Sequence, residues 1–591
     1  MKNKYKLIVC GLFIALISCD LTEIPKDALS PDTFFKNETQ LRLYTNQFYT
    51  LLPEADDMYD EISNQVVRGA ALSDIIIGSS RMIPATGGGW SWTMLRHINY
   101  YLQNSHQCED VAARNKYDGV AYFWRAYLYF ERMKRFGDVP WYDLPIDSDD
   151  KALLFKTQDS REFITQKILE DVDKAINLLP QTTSAYEVTK WSALALKSRI
   201  CLFEGTFRKY HAGTTFNKES YPYEDLLTLC AEASLELMKS GKYSLYKTEP
   251  APYRNLFAVD EPRTQEVILA RCYTTAIVKH SANAFAKVPS KGKPGYTKAL
   301  LNSYLMADGS RFTDQAGYET KLFNEETKGR DPRLAQTVLT PGYTQQGETT
   351  PFAYSLNYTV TGYPITKYVM GVQYDSDNYS ICDMPVFRMG EIYLNYAEAK
   401  AELGTLTQED LDISVNILRD RVKMPHIIMA DANANPDPFL LSKEFGYVNV
   451  VRNANTGVIL EIRRERGIEL ISEGFRYQDL MRWKEGKLLE QPFYGAYFPG
   501  EGRYDLDENG RIDVILYVDN RTTAPNVTPL KIGTDIFLSN GTEGYVIAHA
   551  GRECFFNEER DYLFPIPLND RVLTEGRLKQ NPGWEDGLSF N

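Results

Sequence analysis

The stretch from Glu461 to Trp483, EIRRERGIELISEGFRYQDLMRW, restricts the fold of this chain more than any other. Its apolar residues recur mainly at spacings of three, six or nine between charged residues, as helices that share one buried face require. These apolar residues are Ile462, Ile468, Ile471, Leu480 and Met481. Gly474 interrupts the run, and glycine tolerates the positive φ at which one helix ends and the chain turns into another. The stretch therefore predicts two helices that meet at a corner.

The charged residues of the same stretch allow two interpretations. Five of them could form an acid–base cluster: Glu461, Arg464, Glu469, Glu473 and Arg476. Charges three and four positions apart on a helix are more often paired ions at the surface or half-buried. We therefore interpret these residues as structural ion pairs.

The composition describes a large folded protein that carries excess negative charge. The chain has 591 residues, of which 43% are hydrophobic, enough for several average domains or one large one. A formal net charge of -13 opposes binding to nucleic acid and to anionic lipid surfaces. The 39 tyrosines and 7 tryptophans suit wet, shallow binding surfaces, although such residues also pack in cores.

The N-terminus has the pattern of a secretory leader. Lysines in the first six residues precede an apolar run from Leu7 to Ile17, which is too short to span a bilayer as a helix. The following Ser18-Cys19 completes a string, LISC, that is similar to a bacterial lipobox, in which Cys19 is lipidated. Ordinary cleavage is the alternative, but Leu16 is too large for the A-x-A pattern that it uses. We assign residues 1–18 to a lipoprotein signal peptide and residues 19–31 to a lipid anchor and tether.

Six strings along the chain resemble the signatures of one family. They are AYFWRAYLYFERMKRFGDVPWYD (121–143), TKWSALALKSRICLFEG (189–205), YLMADG (304–309), RMGEIYLNYAEAKAEL (388–403), ERGIELISEGFRYQDLMRW (465–483) and YLFPIP (562–567) with NPGW after it (581–584). In this order they resemble the SusD/RagB family of surface lipoproteins, which bind nutrients for an outer-membrane importer. The segment from Pro492 to Phe556 departs most from the family, and its role stays open.

The resemblance implies a mostly α-helical, SusD-like fold. Tetratricopeptide-like helix pairs would be joined to an irregular, loop-rich part with short β-hairpins. No 34-residue repeat is visible, so this stack comes from the resemblance and not from periodicity. Beyond Lys242 the composition shifts toward Pro, Gly, Tyr and Thr. We assign residues 32–241 to an N-terminal helical part and residues 242–591 to a C-terminal part that includes the ligand-facing loops.

The resemblance also implies a function. We expect a non-catalytic, cell-surface glycan-binding lipoprotein of the outer membrane, facing the exterior. It would deliver oligo- or polysaccharide to a SusC-like TonB-dependent transporter, and it needs no cofactor. A RagB-like peptide-binding subunit and a glycoside hydrolase are the alternatives. The chain lacks H-E-x-x-H, G-x-S-x-G and P-loop motifs, but the two carboxylates of a glycosidase are adjacent in space rather than in sequence.

A glycan site needs exposed aromatic rings beside planar polar groups, on loops over a rigid scaffold. The best match lies around the glycine run at 87–89 and consists of Asp74, Arg81, Trp90 and Trp92. Tyr296, which follows Pro294 and Gly295, is a second candidate. The family places its ligand surface in loops of these two regions, so the resemblance transfers regions rather than residues. Each of these aromatic residues could equally belong to the core.

One segment has the pattern of a calcium loop. Oxygen-bearing side chains occupy positions 1, 3, 5 and 9, namely Asp505, Asp507, Asn509 and Asp513. Gly510 stands at position 6, but Leu516 replaces the bidentate glutamate at position 12, so an EF-hand is rejected. We expect a turn between two strands with its corner at Asn509-Gly510. A structural Ca²⁺ in this turn is a candidate.

Overall fold

The computed structural model describes residues 33–59, 63–69, 76, 81–147 and 149–588. The predicted signal peptide, the tether with Cys19, and the candidate ligand residue Asp74 lie outside these residues. Within them the α-helices are α1 Glu38–Thr45, α2 Ala55–Tyr59, α3 Thr93–Asn104, α4 Val111–Phe136, α5 Lys151–Leu154, α6 Arg161–Leu178, α7 Lys190–Tyr210, α8 Glu224–Lys239, α9 Arg254–Phe257, α10 Ala282–Lys287, α11 Lys298–Ser303, α12 Phe323–Glu326, α13 Met389–Glu402, α14 Gln408–Asp412, α15 Val415–Arg421, α16 Met429–Ala434, α17 Thr456–Glu469, α18 Arg476–Arg482 and α19 Leu568–Leu573.

Short strands form small sheets between these helices. They are β1 Val66–Val67, β2 Val267–Arg271, β3 Gly295–Tyr296, β4 Met384–Arg388, β5 Tyr494–Phe498, β6 Gly502–Tyr504, β7 Val514–Tyr517, β8 Leu530–Lys531 and β9 Gly544–Ile547. Strand β1 pairs with β3, β2 with β4, β5 with β9 and β6 with β7, all antiparallel, whereas β8 joins β7 in parallel. The mostly α-helical fold class is confirmed.

Successive helices of the N-terminal part pack on one another. Helix α4 packs on α6, α6 on α7, α7 on α8, and α13 returns from later in the chain to pack on α8. A Cβ at Gly205 of α7 would lie 2.8 Å from Leu227 Cδ2 of α8, so the small residue permits this close approach. Helix α4 begins at Val111, where Asp110 Oδ1 accepts the backbone N–H groups of Ala112 and Ala113.

Two large hydrophobic cores lie in the described part of the chain. The first is built by the helices and contains Trp90, Trp124 and Trp483. The second is built by loops and short strands and contains Tyr296 and Phe498. The composition shift beyond Lys242 thus corresponds to a change from a core of packed helices to a core of irregular segments.

The predicted corner is confirmed. Helix α17 ends at Glu469, α18 begins at Arg476, and Gly474 between them has a φ of +78°. The five apolar residues of the predicted buried face are all in the core: Ile462, Ile468, Ile471, Leu480 and Met481.

The charged residues at this corner are paired, but they lie deeper than the sequence pattern indicates. Glu469 pairs with Arg388 at 2.8 Å and with Arg333 at 3.2 Å, and these side chains are at most 2% exposed. Arg421 is a third, equally buried partner. Burial alone would raise the pKa of Glu469, but the guanidinium groups of Arg421, Arg388 and Arg333 hold it well below its usual range. The cluster is therefore an ion network inside the protein, not a surface stripe.

Candidate functional site

A glycine-rich loop before α3 sets two tryptophans side by side. Gly87, Gly88 and Gly89 all have positive φ, which lets the chain turn tightly into Trp90. The Trp90 ring is buried and lies edge-on to Phe136, with ring centroids 4.9 Å apart. Trp92 is only half-buried, and its centroid is 5.2 Å from that of Trp90. Trp90 therefore anchors the loop, and Trp92 presents ring surface.

Trp92 lies in the wall of an open cleft of about 590 Å³, a volume typical of small-molecule sites. The start of α3 contributes Thr93 and Arg96, and the chain after α4 contributes Tyr142, whose centroid is 6.4 Å from that of Trp92 at an interplanar angle of 88°. Helix α19 contributes Asp570. Three exposed leucines complete the walls: Leu144, Leu154 and Leu573. We call this the Trp92 cleft.

Polar groups in the Trp92 cleft are open to a ligand. Within the described part of the chain, the exposed Arg96 guanidinium and the Trp92 indole N–H form no hydrogen bond or ion pair with another residue. Burial raises the pKa of the half-buried Asp570, and no other residue in the described part of the chain donates a hydrogen bond to its carboxylate. Lys156, in contrast, is held by Asp159 at 2.6 Å.

This combination suits hydroxyl-rich ligands. Aromatic rings can stack on the C–H faces of sugars, and the separated Arg96 and Asp570 can donate to and accept from hydroxyl groups. Asp570 is the single carboxylate among the described residues that line the cleft. The arrangement can bind and orient a ligand, and it offers no pair of carboxyl groups for acid–base chemistry.

Two other sequence candidates lie in the interior. Arg81 pairs with the Asp561 carboxylate at 3.1 Å, donates to the Asp561 carbonyl at 3.0 Å and lies over the Phe564 ring. Tyr296 is fully buried in β3, opposite Val66 of β1. In this structure both side chains support the fold, because neither has surface to offer a ligand. Asp74 lies outside the described residues, and its assignment stays a prediction.

The calcium-like segment joins β6 to β7 as the predicted turn between two strands. Carboxylate oxygens of Asp505, Asp507 and Asp513 lie within 4.8 Å of one another. Backbone N–H groups also bind them: Asp513 Oδ2 accepts from Leu506 at 2.7 Å, and Asp505 Oδ2 accepts from Gly510 at 2.8 Å.

Burial, together with the two neighbouring carboxylates, raises the pKa of Asp513 to about 6. The Asn509 side chain donates to Asp507 and accepts from the Arg511 N–H, so it belongs to the turn's own hydrogen bonds. The oxygen set fits Ca²⁺, the turn also has its own hydrogen bonds, and the calcium assignment stays a prediction.

Comparison with known proteins identifies the family. Residues 266–584 match the model of the "SusD family", and residues 91–202 match a second model described as "Starch-binding associating with outer membrane". The first match covers more than half of the chain. The chain belongs to the SusD/RagB family. Among the described residues, no helix combines the length and hydrophobicity that crossing a membrane requires.

Individual relatives of this SusD/RagB chain are distant in sequence and similar in fold. SusD-like protein P2 of Formosa agariphila is 22% identical over 615 residues, covering 98% of this chain and 100% of that protein. A SusD-like carbohydrate binding protein from Bacteroides fragilis has 20% identity and a TM-score of 0.67, covering 92% of this chain and 99% of that one. A laminarin binding SusD-like protein has 18% identity and a TM-score of 0.54, covering 93% and 100%. The family prediction is confirmed, and the solved structures show that the fold is shared along most of the chain.

Sequence reasoning found one wall of the Trp92 cleft in this SusD/RagB chain and missed the others. Tyr142 stands directly after the FGDVPW residues, which carry part of the family resemblance but no signal of a binding surface. Asp570 and Leu573 are far from Trp92 in the sequence, and only packing of the C-terminal helix α19 brings them to the cleft. No local pattern could have indicated that contact.

Proposed function

We propose that this protein is a non-catalytic, lipid-anchored glycan-binding protein of the outer membrane. It binds oligo- or polysaccharide in the Trp92 cleft, faces the cell exterior, and delivers the glycan to a SusC-like TonB-dependent transporter. Acyl chains on Cys19 hold it at the membrane with an affinity set by the buried methylene groups. Membership of the SusD/RagB family and the outer-membrane description of the matched family model support this assignment.

The observation that carries the proposal is the placement of Trp92 beside unpaired polar groups. The ring surfaces of Trp92 and Tyr142 provide stacking area, while Arg96 and Asp570 provide hydrogen bonds at different walls of one cleft. Stacking is tolerant of sugar identity, whereas the placed polar groups select a hydroxyl pattern.

The presence of a single carboxylate among the described lining residues favours binding without hydrolysis. A glycosidase needs two carboxyl groups about 5 to 9.5 Å apart that flank the scissile bond. Asp570 has no such partner among the described lining residues. Incubation with labelled polysaccharides should therefore release no product, and product release would contradict the proposal.

The decisive experiment is replacement of Trp92. Trp92→Ala should weaken retention on glycan-containing gels, laminarin included, by about tenfold, since loss of about 1.4 kcal/mol corresponds to that factor. Retention of Trp92→Phe should fall between that of the wild type and that of Trp92→Ala, because part of the ring area is kept. Trp90→Ala is unsuitable because emptying a buried aromatic site costs roughly 3–5 kcal/mol of stability.

The matched control is Tyr379→Ala, which removes an aromatic ring that is 52% exposed and does not line the cleft. Its glycan retention should equal that of the wild type. Equal retention of the wild type and Trp92→Ala would refute the cleft as the site. Retention of a peptide pool but of no glycan would favour the RagB-like alternative.

A further inference from the structure

Strands β5 and β9 carry a row of tyrosines on one face, within the segment whose role the sequence left open. In the antiparallel pairing Tyr497 lies opposite Tyr545, and Tyr494 lies opposite Ile547. Tyr494, Tyr497 and Tyr545 are half-buried, whereas their neighbours Ala496, Phe498 and Val546 are buried. The three tyrosines therefore face solvent from a two-stranded support that packs on the second core. We call them the tyrosine platform.

A register shift brings Tyr494 and Tyr497 to the same face although they are three residues apart. The shift lies between these two residues, at Gly495 and Ala496. Ala496 N–H donates to the Thr361 carbonyl at 2.7 Å, and a Cβ at Gly495 would come within 1.8 Å of that oxygen. Only glycine permits this approach, so the bulge is fixed by the neighbouring backbone. The bulge therefore determines that Tyr494 and Tyr497 lie on the same face of the sheet.

The rings and hydroxyls of the platform are available to a ligand. The Tyr545 centroid is 5.3 Å from that of Tyr494 and 6.1 Å from that of Tyr497, so the rings form one continuous surface. None of the three phenol hydroxyls has a hydrogen-bond partner within the described part of the chain. A tyrosine whose hydroxyl lacks a protein partner offers a stacking face and a donor to the same ligand.

Carboxylates border this surface. The exposed Glu444 shares a small depression with Tyr494 and has no hydrogen-bond or ion-pair partner among the described residues. Burial, and then the charge of the exposed Glu319, raises the pKa of Tyr545, so its phenol stays protonated as a donor. The nearby Lys298 is neutralised by the buried Glu326, whereas Glu319 and Glu444 are both exposed, so these two carboxylates supply negative charge beside the platform.

We propose that the tyrosine platform is a second carbohydrate-binding site, selective for uncharged saccharides. Tyr494, Tyr497 and Tyr545 stack on sugar rings, and Glu319 with Glu444 accepts hydrogen bonds from hydroxyl groups. The same carboxylates repel uronic acid and sulfate groups. The site shares no residue with the Trp92 cleft and packs on the second core, whereas Trp92 packs on the first. The inference rests on the proposed glycan-binding function.

The first test compares affinity gels that contain a neutral glycan bound by the wild type. Tyr545→Ala should weaken retention about three- to tenfold through loss of stacking, and Tyr545→Phe should lose less because the ring remains. Tyr379→Ala is again the matched control, with a thermal melt to verify that each variant folds. Equal retention of Tyr545→Ala and the wild type would overturn the second site.

A chemical test locates the contact without any substitution. Tetranitromethane nitrates accessible tyrosines, and peptide mass spectrometry reports each position. Saturating neutral glycan should slow nitration of Tyr494, Tyr497 and Tyr545 at least threefold and leave Tyr379 unchanged. Equal rates with and without glycan at the platform would contradict the inference, even if Tyr545→Ala weakened binding through the fold.

A charge test probes selectivity. The double variant Glu319→Gln with Glu444→Gln should weaken retention on the neutral gel, because an amide oxygen accepts hydrogen bonds less strongly than a carboxylate, and should gain measurable retention on a polyuronate gel. An unchanged ratio of retention on the two gels would contradict the role of these carboxylates. Failure of the wild type to bind any glycan would refute the proposed function itself. Normal binding that depends on Trp92 but on none of the platform residues would refute only the second site.

Discussion

Replacement of Glu469 by glutamine tests how strongly the buried ion network at the corner between α17 and α18 stabilises the fold. The substitution keeps the side-chain shape and removes a buried negative charge that faces Arg388 at 2.8 Å and Arg333 at 3.2 Å, as well as Arg421. These guanidinium groups remain buried, and the glutamine amide turns N–H donors toward them. Removing one partner of a buried ion pair typically costs about 3–5 kcal/mol.

The corresponding change in melting temperature follows from the length of the chain. An unfolding entropy of about 2.1 cal/mol/K per residue gives roughly 1.2 kcal/mol/K for a protein of this size. A loss of about 4 kcal/mol should therefore lower Tm by about 3 °C at pH 7, measured by differential scanning calorimetry. The matched control is Glu236→Gln, which removes a half-exposed partner of Lys190 and should lower Tm by less than about 1 °C.

The pH dependence supplies the second readout. Because the pKa of Glu469 is held below its unfolded value, its contribution is fully present above pH about 4.5 and is lost as the pH falls through the native pKa. The Tm difference between wild type and Glu469→Gln should be constant from pH 5.5 to 8 and should shrink below pH 4. A difference as small as that of Glu236→Gln, or one that is equal at pH 7 and pH 3, would refute the reasoning.

Three further predictions concern the anchor, the thiols and the turn between β6 and β7. Cys19→Ala should move the protein from the membrane fraction of its native host to the soluble fraction, and retention in membranes would contradict lipidation. Ellman's reagent should react first with the exposed Cys272, although burial and the Asp383 charge raise the pKa of this thiol and slow the reaction. Cys201 and Cys230 are buried and should react only after unfolding, so reaction of all three in the folded protein would contradict this packing. If the predicted Ca²⁺ binds Asp505, Asp507 and Asp513, its affinity should fall as the pH drops through about 6, where Asp513 takes up a proton. Asp513→Asn should abolish any calcium-dependent rise in Tm. Equal Tm with Ca²⁺ and with chelator would contradict the site.

Local patterns predicted the helices well and the site only in part. The buried face of Ile462 and Leu480 and the turn at Gly474 follow from periodicity and from the conformational freedom of glycine, which are properties of neighbouring residues. Whether an aromatic side chain is buried or exposed depends on which other residues pack on it. Trp90 and Trp92 are two positions apart in one loop, yet Phe136 covers the first and only part of the second is covered. Tyr494, Tyr497 and Tyr545 carried no signal because the bulge that aligns them depends on Thr361, far away in sequence.

The burial of the charged network around Glu469 also has a non-local cause. This network links the scaffold to the binding surfaces. Spacing along α17 could indicate pairing within the helix, but the partners of Glu469 come from β4, from α15 and from the loop that holds Arg333. In the same corner Arg482 and Trp483 both donate to Glu398 of α13. The corner thus joins the helical core, which supports the Trp92 cleft, to the irregular core, which supports the tyrosine platform.

A weakened corner should therefore disturb glycan binding at both surfaces, whereas Trp92→Ala and Tyr545→Ala should each affect one. Comparing Glu469→Gln with these two variants on the same neutral glycan separates loss of scaffold from loss of contact. Unimpaired binding by Glu469→Gln just below its lowered Tm would show that the surfaces do not depend on the corner.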